Sequence, residues 1–241
     1  MKLSVIIPAY NEEERLPKTL QEIAEYLSQQ SYDSEIIVVS DGSKDRTGEV
    51  VREMIPEIRN LRLIENKENH GKGYAVRQGV LEGKGAYRIF TDADNSTSID
   101  QIEKMWPWFE QGYDVVIGSR DIKGAVLDPP QPWWRRVLLG KSFRFLTHLI
   151  CGTWNILDSQ CGFKMFTRKA AEDIFPRIRI LGFSFDVEVL VIAKRLGYRV
   201  KEIPVHWKND PKTKVKLSNT FKMGIDLLKI RWNLLRGKYG S

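Results

Sequence analysis

Two carboxylates one residue apart, Asp92 and Asp94 in Thr91-Asp92-Ala93-Asp94, follow the apolar run Ala86-Tyr87-Arg88-Ile89-Phe90. A run of this length and composition reads as a buried strand, whose end would hold both carboxylates on one rigid frame. Oxygen ligands so placed suit a hard divalent cation, Mg²⁺ or Mn²⁺, which keeps waters and takes substrate phosphates into its shell. The competing reading is an acidic turn that caps the following helix. The residues elsewhere in the chain decide between the two.

Tyr10, two residues past Pro8, offers an aromatic face for a nucleobase or for packing. Asp41, ahead of Gly42, offers an acceptor for a ring N–H, or serves a turn. Asn69-His70-Gly71-Lys72-Gly73 has two glycines and a lysine where a helix opens, so backbone N–H groups and Lys72 can meet an anion. It matches neither the G-x-x-x-x-G-K-[ST] nor the G-x-G-x-x-G pattern, which argues against an ATPase or a dinucleotide site.

These residues must be positioned by alternating elements. Periodicity predicts strands over 3–8, 35–39, 61–65, 87–91 and 114–118, separated by helices over 12–30, 47–55, 72–81 and 99–109. Such alternation implies an α/β fold, a mostly parallel, Rossmann-like sheet flanked by helices, with ligands at the carboxyl ends of the strands. The loops at Tyr10, Asp41, Lys72, Asp92 and Arg120 all fall at those ends. After residue 120 the regularity ends. We read 1–120 as a nucleotide-binding half and 121–241 as an acceptor-side extension of the same domain.

The 241 residues suffice for one substantial core, and a mean hydropathy of −0.35 is that of a globular protein. No apolar run approaches the ~20 residues of a membrane span, and the apolar start is too short for a signal peptide. The expectation is a cytoplasmic protein. Cys151 and Cys161 make neither a disulfide framework nor a zinc set and are expected to be packed thiols. His70, His148 and His206 are too scattered for a metal set, and His206, beside Trp207, is expected to be packed. Of the net +7, residues 194–241 carry 13 Lys/Arg against 3 Asp/Glu, while the rest is near neutral. A basic tail argues for an anionic surface met by one region. Its interleaved aliphatics favour a membrane face over nucleic acid, for which no motif is present.

In combination, Val5-Ile6-Ile7-Pro8-Ala9-Tyr10-Asn11-Glu12, Val38-Val39-Ser40-Asp41-Gly42-Ser43-Lys44-Asp45-Arg46-Thr47, Asn69-His70-Gly71-Lys72-Gly73 and Asp92-Ala93-Asp94 resemble the serial motifs of family 2 glycosyltransferases with the GT-A fold. Gly118-Ser119-Arg120, the segment from Asp158 through Lys164, Phe183 through Glu188, and Glu202 through Trp207 resemble the dolichyl-phosphate glucosyltransferase and mannosyltransferase branch, the glucosyltransferases more closely. The resemblance implies a nucleotide site at Pro8, Tyr10, Glu12, Asp41, Lys72, Asp92 and Ala93, and a metal held by Asp92 and Asp94. It implies that Arg120 and Lys214 face phosphates, and that Asp158 and Gln160 join Asp94 and Arg120 near the reacting centre. Mannosyltransferase relatives carry a Gln metal ligand where this chain has Ser96, which leaves the third protein ligand open and points away from mannose.

The reaction so implied moves glucose from UDP-glucose to a dolichyl or polyprenyl phosphate, with inversion. A lipid phosphate has a second pKa of ~6 and attacks without a general base. Asp158 and Asp186 each remain open to two readings, orienting a sugar hydroxyl or serving the structure. Two stretches suit a lipid boundary. The segment 132–149 pairs Trp133 and Trp134 with Arg135 and Arg136, our candidates for the acceptor phosphate. Residues 219–236 form a helix with apolar residues over more than half its circumference, so it packs into the domain or rests on a bilayer or a membrane-protein partner. Two other readings stand: a family 2 enzyme with another donor, such as GDP-mannose, or a hydroxyl acceptor on a growing glycan, and a non-catalytic nucleotide-sugar-binding module.

Overall fold

The computed structural model describes residues 1–129, 141–208 and 217–240. Three parallel strands build the first half of the sheet: β1 (Leu3–Ala9), β2 (Ser34–Asp41) and β3 (Leu61–Asn66). The helices α1 (Leu16–Ser28), α2 (Thr47–Met54) and α3 (Lys72–Glu82) connect them to one another and to β4 (Tyr87–Thr91), which is parallel to β1. After a 3₁₀ turn, Ile99–Lys104, and a short α4 (Trp106–Glu110), β5 (Val115–Ser119) follows. The continuous helix expected over 99–109 is therefore broken: Met105 ends the 3₁₀ turn, and Pro107, which lacks an N–H, occupies the first turn of α4.

Residues after 120 complete the sheet. Beyond the short β6 (Val126–Asp128) and α5 (Lys141–Cys151), β7 (Phe163–Thr167) runs antiparallel between β4 and β5. Then come α6 (Arg168–Ile174), α7 (Phe185–Arg195), β8 (Val200–Pro204), β9 (His206–Lys208) and α8 (Leu217–Leu235). The order of the seven-stranded sheet is β3-β2-β1-β4-β7-β5-β8, and β6 pairs with β9 in a second, two-stranded sheet. Both faces of the main sheet are covered, which is why the inner strands β1, β2 and β5 carry long apolar runs, while the edge strands β3 and β8 are mixed. Val5, Ile7, Ile89 and Met165 join one core with Leu16, Leu20 and Ile23 of α1. Ile6, Phe90, Ile117 and Phe166 face the opposite layer of Val76, Ile174, Val187 and Leu190. Adjacent residues on a strand thus enter different cores, as the two-residue repeat requires.

On α8, Met223, Leu227 and Ile230 are buried, whereas Ile225, Leu228, Trp232 and Leu235 are exposed. Beside it, α5 exposes Phe145, Leu146 and Leu149. Among the described residues no helix is long and apolar enough to cross a membrane.

Candidate active site

Five strand ends deliver the chemistry. At the end of β1, Glu12 is buried and binds Arg15 through its Nε and Nη2 at 2.8 Å, and Arg15 Nη1 lies 3.9 Å from Asp94 Oδ2. The same loop is tied to the β2–α2 loop. Glu12 N–H donates to Thr47 Oγ1 at 2.8 Å, and Asn11 Oδ1 accepts from the Lys44 N–H at 2.8 Å. Tyr10 stands exposed and Pro8 half-buried at this edge.

Asp41, at the end of β2, is buried. Its Oδ2 accepts the N–H groups of His70 at 2.9 Å and Gly71 at 2.7 Å, and its Oδ1 accepts Asn66 Nδ2 at 3.0 Å. The carboxylate therefore shapes the loop that opens α3. Gly71 sits there at φ 107°, and a Cβ on it would stand 2.4 Å from the Leu181 carbonyl oxygen, so both conformation and contact demand glycine.

That loop points Lys72 at the carboxylate pair: its Nζ is 2.6 Å from Asp92 Oδ1. Burial works against the Lys72 charge, but Asp92, with Asp186 behind it, holds the ammonium well above the usual lysine range. Asp94 Oδ1 accepts the Ser96 N–H at 3.0 Å in a tight turn, where Asn95 takes φ 49°. Burial and then the neighbouring Asp92 push the Asp94 carboxyl above its ordinary value. Ala93 turns the other way, buried, and its carbonyl accepts Thr19 Oγ1 at 2.8 Å.

The segment before β7 closes the site from the other side. A Cβ at Gly162 would lie 2.1 Å from Asp92 Oδ2, so the chain passes directly against the first carboxylate. Asp158 receives Arg120 in a fork, Nε to Oδ2 at 2.7 Å and Nη2 to Oδ1 at 2.9 Å, and accepts the Arg120 and Gln160 N–H groups at 3.0 and 3.1 Å. Burial pushes the Asp158 carboxyl up, but Arg120 outweighs it and holds it at about 2. The guanidinium also lies 5.5 Å from the centre of the Trp207 ring.

Sequence reasoning did not single out Lys164, Gly162 or Arg15. Lys164 is fully buried within β7, with its Nζ 2.5 Å from Asp186 Oδ1. A lysine inside Phe163-Lys164-Met165-Phe166 was the available signal, since a buried cation needs a partner. Burial raises the Asp186 carboxyl, and Lys164 and then Lys72 oppose that without cancelling it. Glu188, one turn inside α7, binds the N–H groups of Arg179 and Ile180 at 2.9 and 2.7 Å and the Tyr239 hydroxyl at 2.6 Å. Cys151 and Cys161 are packed, as expected. His206 is exposed rather than packed, because β9 lies in the small sheet, where its backbone is held by Gln101 and by the pairing with β6. Arg135, Arg136 and Lys214, with Trp133 and Trp134, lie outside the described residues.

The carboxyl edge therefore carries two half-buried carboxylates with Lys72 on one of them, and an arginine–aspartate fork at the end of β5. Among the described residues no group of three His, Cys, Asp or Glu side chains forms a metal cage. Two carboxylates alone fit Mg²⁺ or Mn²⁺, which complete their shells with water and phosphate oxygens.

The profile of the family described as Glycosyl transferase family 2 matches residues 4–175. A dolichyl-phosphate beta-glucosyltransferase of Trichomonas vaginalis is 40% identical, over 95% of this chain and 72% of its own length. The dolichyl-phosphate beta-glucosyltransferase of Homo sapiens is 36% identical, over 99% of this chain and 77% of its own. Among solved structures, glucosyl-3-phosphoglycerate synthase of M. tuberculosis superposes with a TM-score of 0.70 at 17% identity, over all of this chain and 81% of that one. The same synthase bound to Mn²⁺, uridine diphosphate and glucosyl-3-phosphoglycerate gives 0.67 at 17% identity, with the same coverage. At these identities the structural likeness is one of fold.

Proposed function

The chain belongs to glycosyl transferase family 2, and on that footing we propose that it moves glucose from UDP-glucose to dolichyl phosphate or a related polyprenyl phosphate. The observation that carries this reading is the Asp92–Asp94 pair at the carboxyl edge of β4, with Lys72 drawn onto it across the β3–α3 loop. Similarity to dolichyl-phosphate beta-glucosyltransferases over 95–99% of this chain and 72–77% of theirs supports the glucosyl group and the lipid acceptor.

In this reading residues 1–120 bind the donor and 121–241 the acceptor. Tyr10, between Pro8 and Glu12, stacks on the base, and Asp41 orders the loop that presents Lys72 to the diphosphate. Asp92 and Asp94 would hold Mg²⁺ or Mn²⁺, which would supply positive charge as the diphosphate leaves. Lys72 adds a second positive charge to the same oxygens. Arg120, kept rigid by Asp158, directs its guanidinium at a phosphate, with Gln160 on the adjoining backbone. A lipid phosphate, already ionised, displaces the nucleotide in one inverting step and leaves a β-linked product. A hydroxyl acceptor would need a base, and Asp186, bound by Lys164 and 3% exposed, is poorly placed to be one.

The exposed apolar residues of α5 and α8, interspersed with Lys222, Lys229, Arg231 and Arg236, support docking on the cytoplasmic face of a membrane. The test is transfer of labelled glucose from UDP-glucose to polyprenyl phosphate, with GDP-mannose in parallel and EDTA as control. Metal-dependent glucosyl-lipid is the expected product. Transfer from GDP-mannose alone, or to a glycan hydroxyl alone, would overturn the reading.

A further inference from the structure

A cleft of about 400 Å³ lies behind the β3–α3 loop, between His70–Gly71, the turn at 179–182 and α8. Its charged lining is Arg179, Lys222 and Lys229 against one acid, Asp226. None of these four takes part in the carboxylate pair or the Arg120–Asp158 fork.

The walls are fixed. Asp41 holds the backbone of His70 and Gly71 through their N–H groups, at 2.9 and 2.7 Å. Glu188, fully buried, does the same for Arg179 and Ile180. Gly73 N–H donates to the Leu181 carbonyl at 2.8 Å, which locks the two loops to each other. Lys229 Nζ lies 3.1 Å from the carboxylate of Asp226, itself 4% exposed, so this cation is held at the cleft mouth. Lys222, Asp226 and Lys229 share one face of α8, spaced four and three residues apart.

Three cations facing one carboxylate leave an excess of positive charge on a concave, preorganised surface. Such a surface concentrates anions, and a guanidinium beside two ammonium groups matches the oxygens of a phosphate. The volume suits a small phosphate-bearing group. We propose that this cleft binds a phosphate-bearing anion at a site separate from the donor site. Ile225 and Leu228 stand exposed on the adjoining face of α8, so a lipid headgroup and a soluble phosphate compound share the chemistry required. The proposal goes beyond the transfer reaction and does not depend on its donor or acceptor.

The experiment is calorimetric titration of the full chain with inorganic pyrophosphate in metal-free buffer, where the carboxylate pair repels the probe. It is repeated with Arg179→Ala/Lys229→Gln, with Lys222→Glu, and with Asp94→Asn. Saturable binding is expected, weakened at least about tenfold in both cleft variants and no weaker in Asp94→Asn, which only lessens the repulsion. Lys222→Glu keeps the test decisive should loss of the Asp226 partner unfold the double variant. Sedimentation with phosphatidylcholine vesicles, with and without phosphatidic acid, separates the sources. Acid-dependent sedimentation lost in Lys222→Glu assigns a lipid headgroup, and pyrophosphate binding without it assigns a soluble compound. No saturable pyrophosphate binding, binding indifferent to the cleft variants, or binding lost in Asp94→Asn overturns the proposal. Glucosyl transfer by the same preparations reports separately on the proposed reaction.

Discussion

Arg120 and Asp158, 38 residues apart, are joined by two parallel hydrogen bonds of 2.7 and 2.9 Å where β5 leaves the sheet. The aspartate is 5% exposed, and Glu202 holds its backbone N–H at 2.8 Å. A carboxylate so committed acts by fixing the guanidinium.

Asp158→Asn keeps the shape and removes the charge, leaving the half-buried Arg120 without its counter-ion. The expected cost is about 3 kcal/mol, read as a fall in Tm of roughly 6–12 °C, with transfer reduced as well. The pair also sets an acid limit. Because folding lowers the Asp158 carboxyl from an ordinary 3.8 to about 2, its contribution is complete above about pH 4 and disappears as the pH falls towards 2. Acid titration of wild type and variant should converge across that window.

Asp94→Ala should abolish transfer, by at least about 10²-fold, since no other described carboxylate replaces it beside Asp92. Its side chain is 23% exposed, and its loss relieves repulsion between two like charges, so Tm should hold or rise slightly. Thermal melts alongside the transfer assay check both halves.

Gly162→Ala offers a sharper dissociation. The three atoms nearest the added methyl all belong to the Asp92 carboxylate, the first at 2.1 Å, and that side chain can swing away. Stability should change by roughly 1 kcal/mol or less, while misplacing Asp92 costs at least about tenfold in kcat/KM. Comparable losses in stability and rate would refute the placement.

Tyr239 is fully buried at the end of the described chain, its hydroxyl 2.6 Å from Glu188. Tyr239→Phe leaves that carboxylate oxygen without its donor, at a cost of about 2 kcal/mol. Because Glu188 also anchors the Arg179 and Ile180 N–H groups, next to the Leu181 carbonyl that meets Gly73, faster amide exchange at Ile180 and Gly73 should accompany the loss.

Leu228→Glu and Trp232→Glu alter exposed positions and should leave the melting curve nearly unchanged. Each removes an apolar group worth ~1.5–3 kcal/mol on insertion, so binding to anionic vesicles should drop at least tenfold. Unaltered vesicle binding in both would argue that this face meets no bilayer.

The alternation of strands and helices to residue 118 was readable because each crossover is local. A strand buried on both faces needs an unbroken apolar run, and a covering helix needs a stripe at 3.6 residues. The Asp92–Asp94 pair was readable for the same reason, since strand end and turn lie within one short segment. The helix at 219–236 was equally visible as apolar over much of its surface. Its periodicity separates a flank of Met223, Leu227 and Ile230 from one of Leu228 and Trp232, but only the structure decided that the first packs inward and the second remains outside.

Other relationships required the folded sheet. β7 enters antiparallel between β4 and β5, and only that insertion brings Gly162 against Asp92 and Lys164 against Asp186. His206 was misjudged because an apolar neighbour in sequence does not tell which sheet a strand joins. By itself the sequence determined the α/β class, the strand ends and the residue types gathered at those ends, since these rest on hydrogen bonding and burial within short segments. The tertiary structure alone decided which charges meet: Lys72 with Asp92, Arg120 with Asp158, Glu188 with Tyr239. Such pairings depend on strand order and on the desolvation of each charge, and neither leaves a periodic trace along the chain.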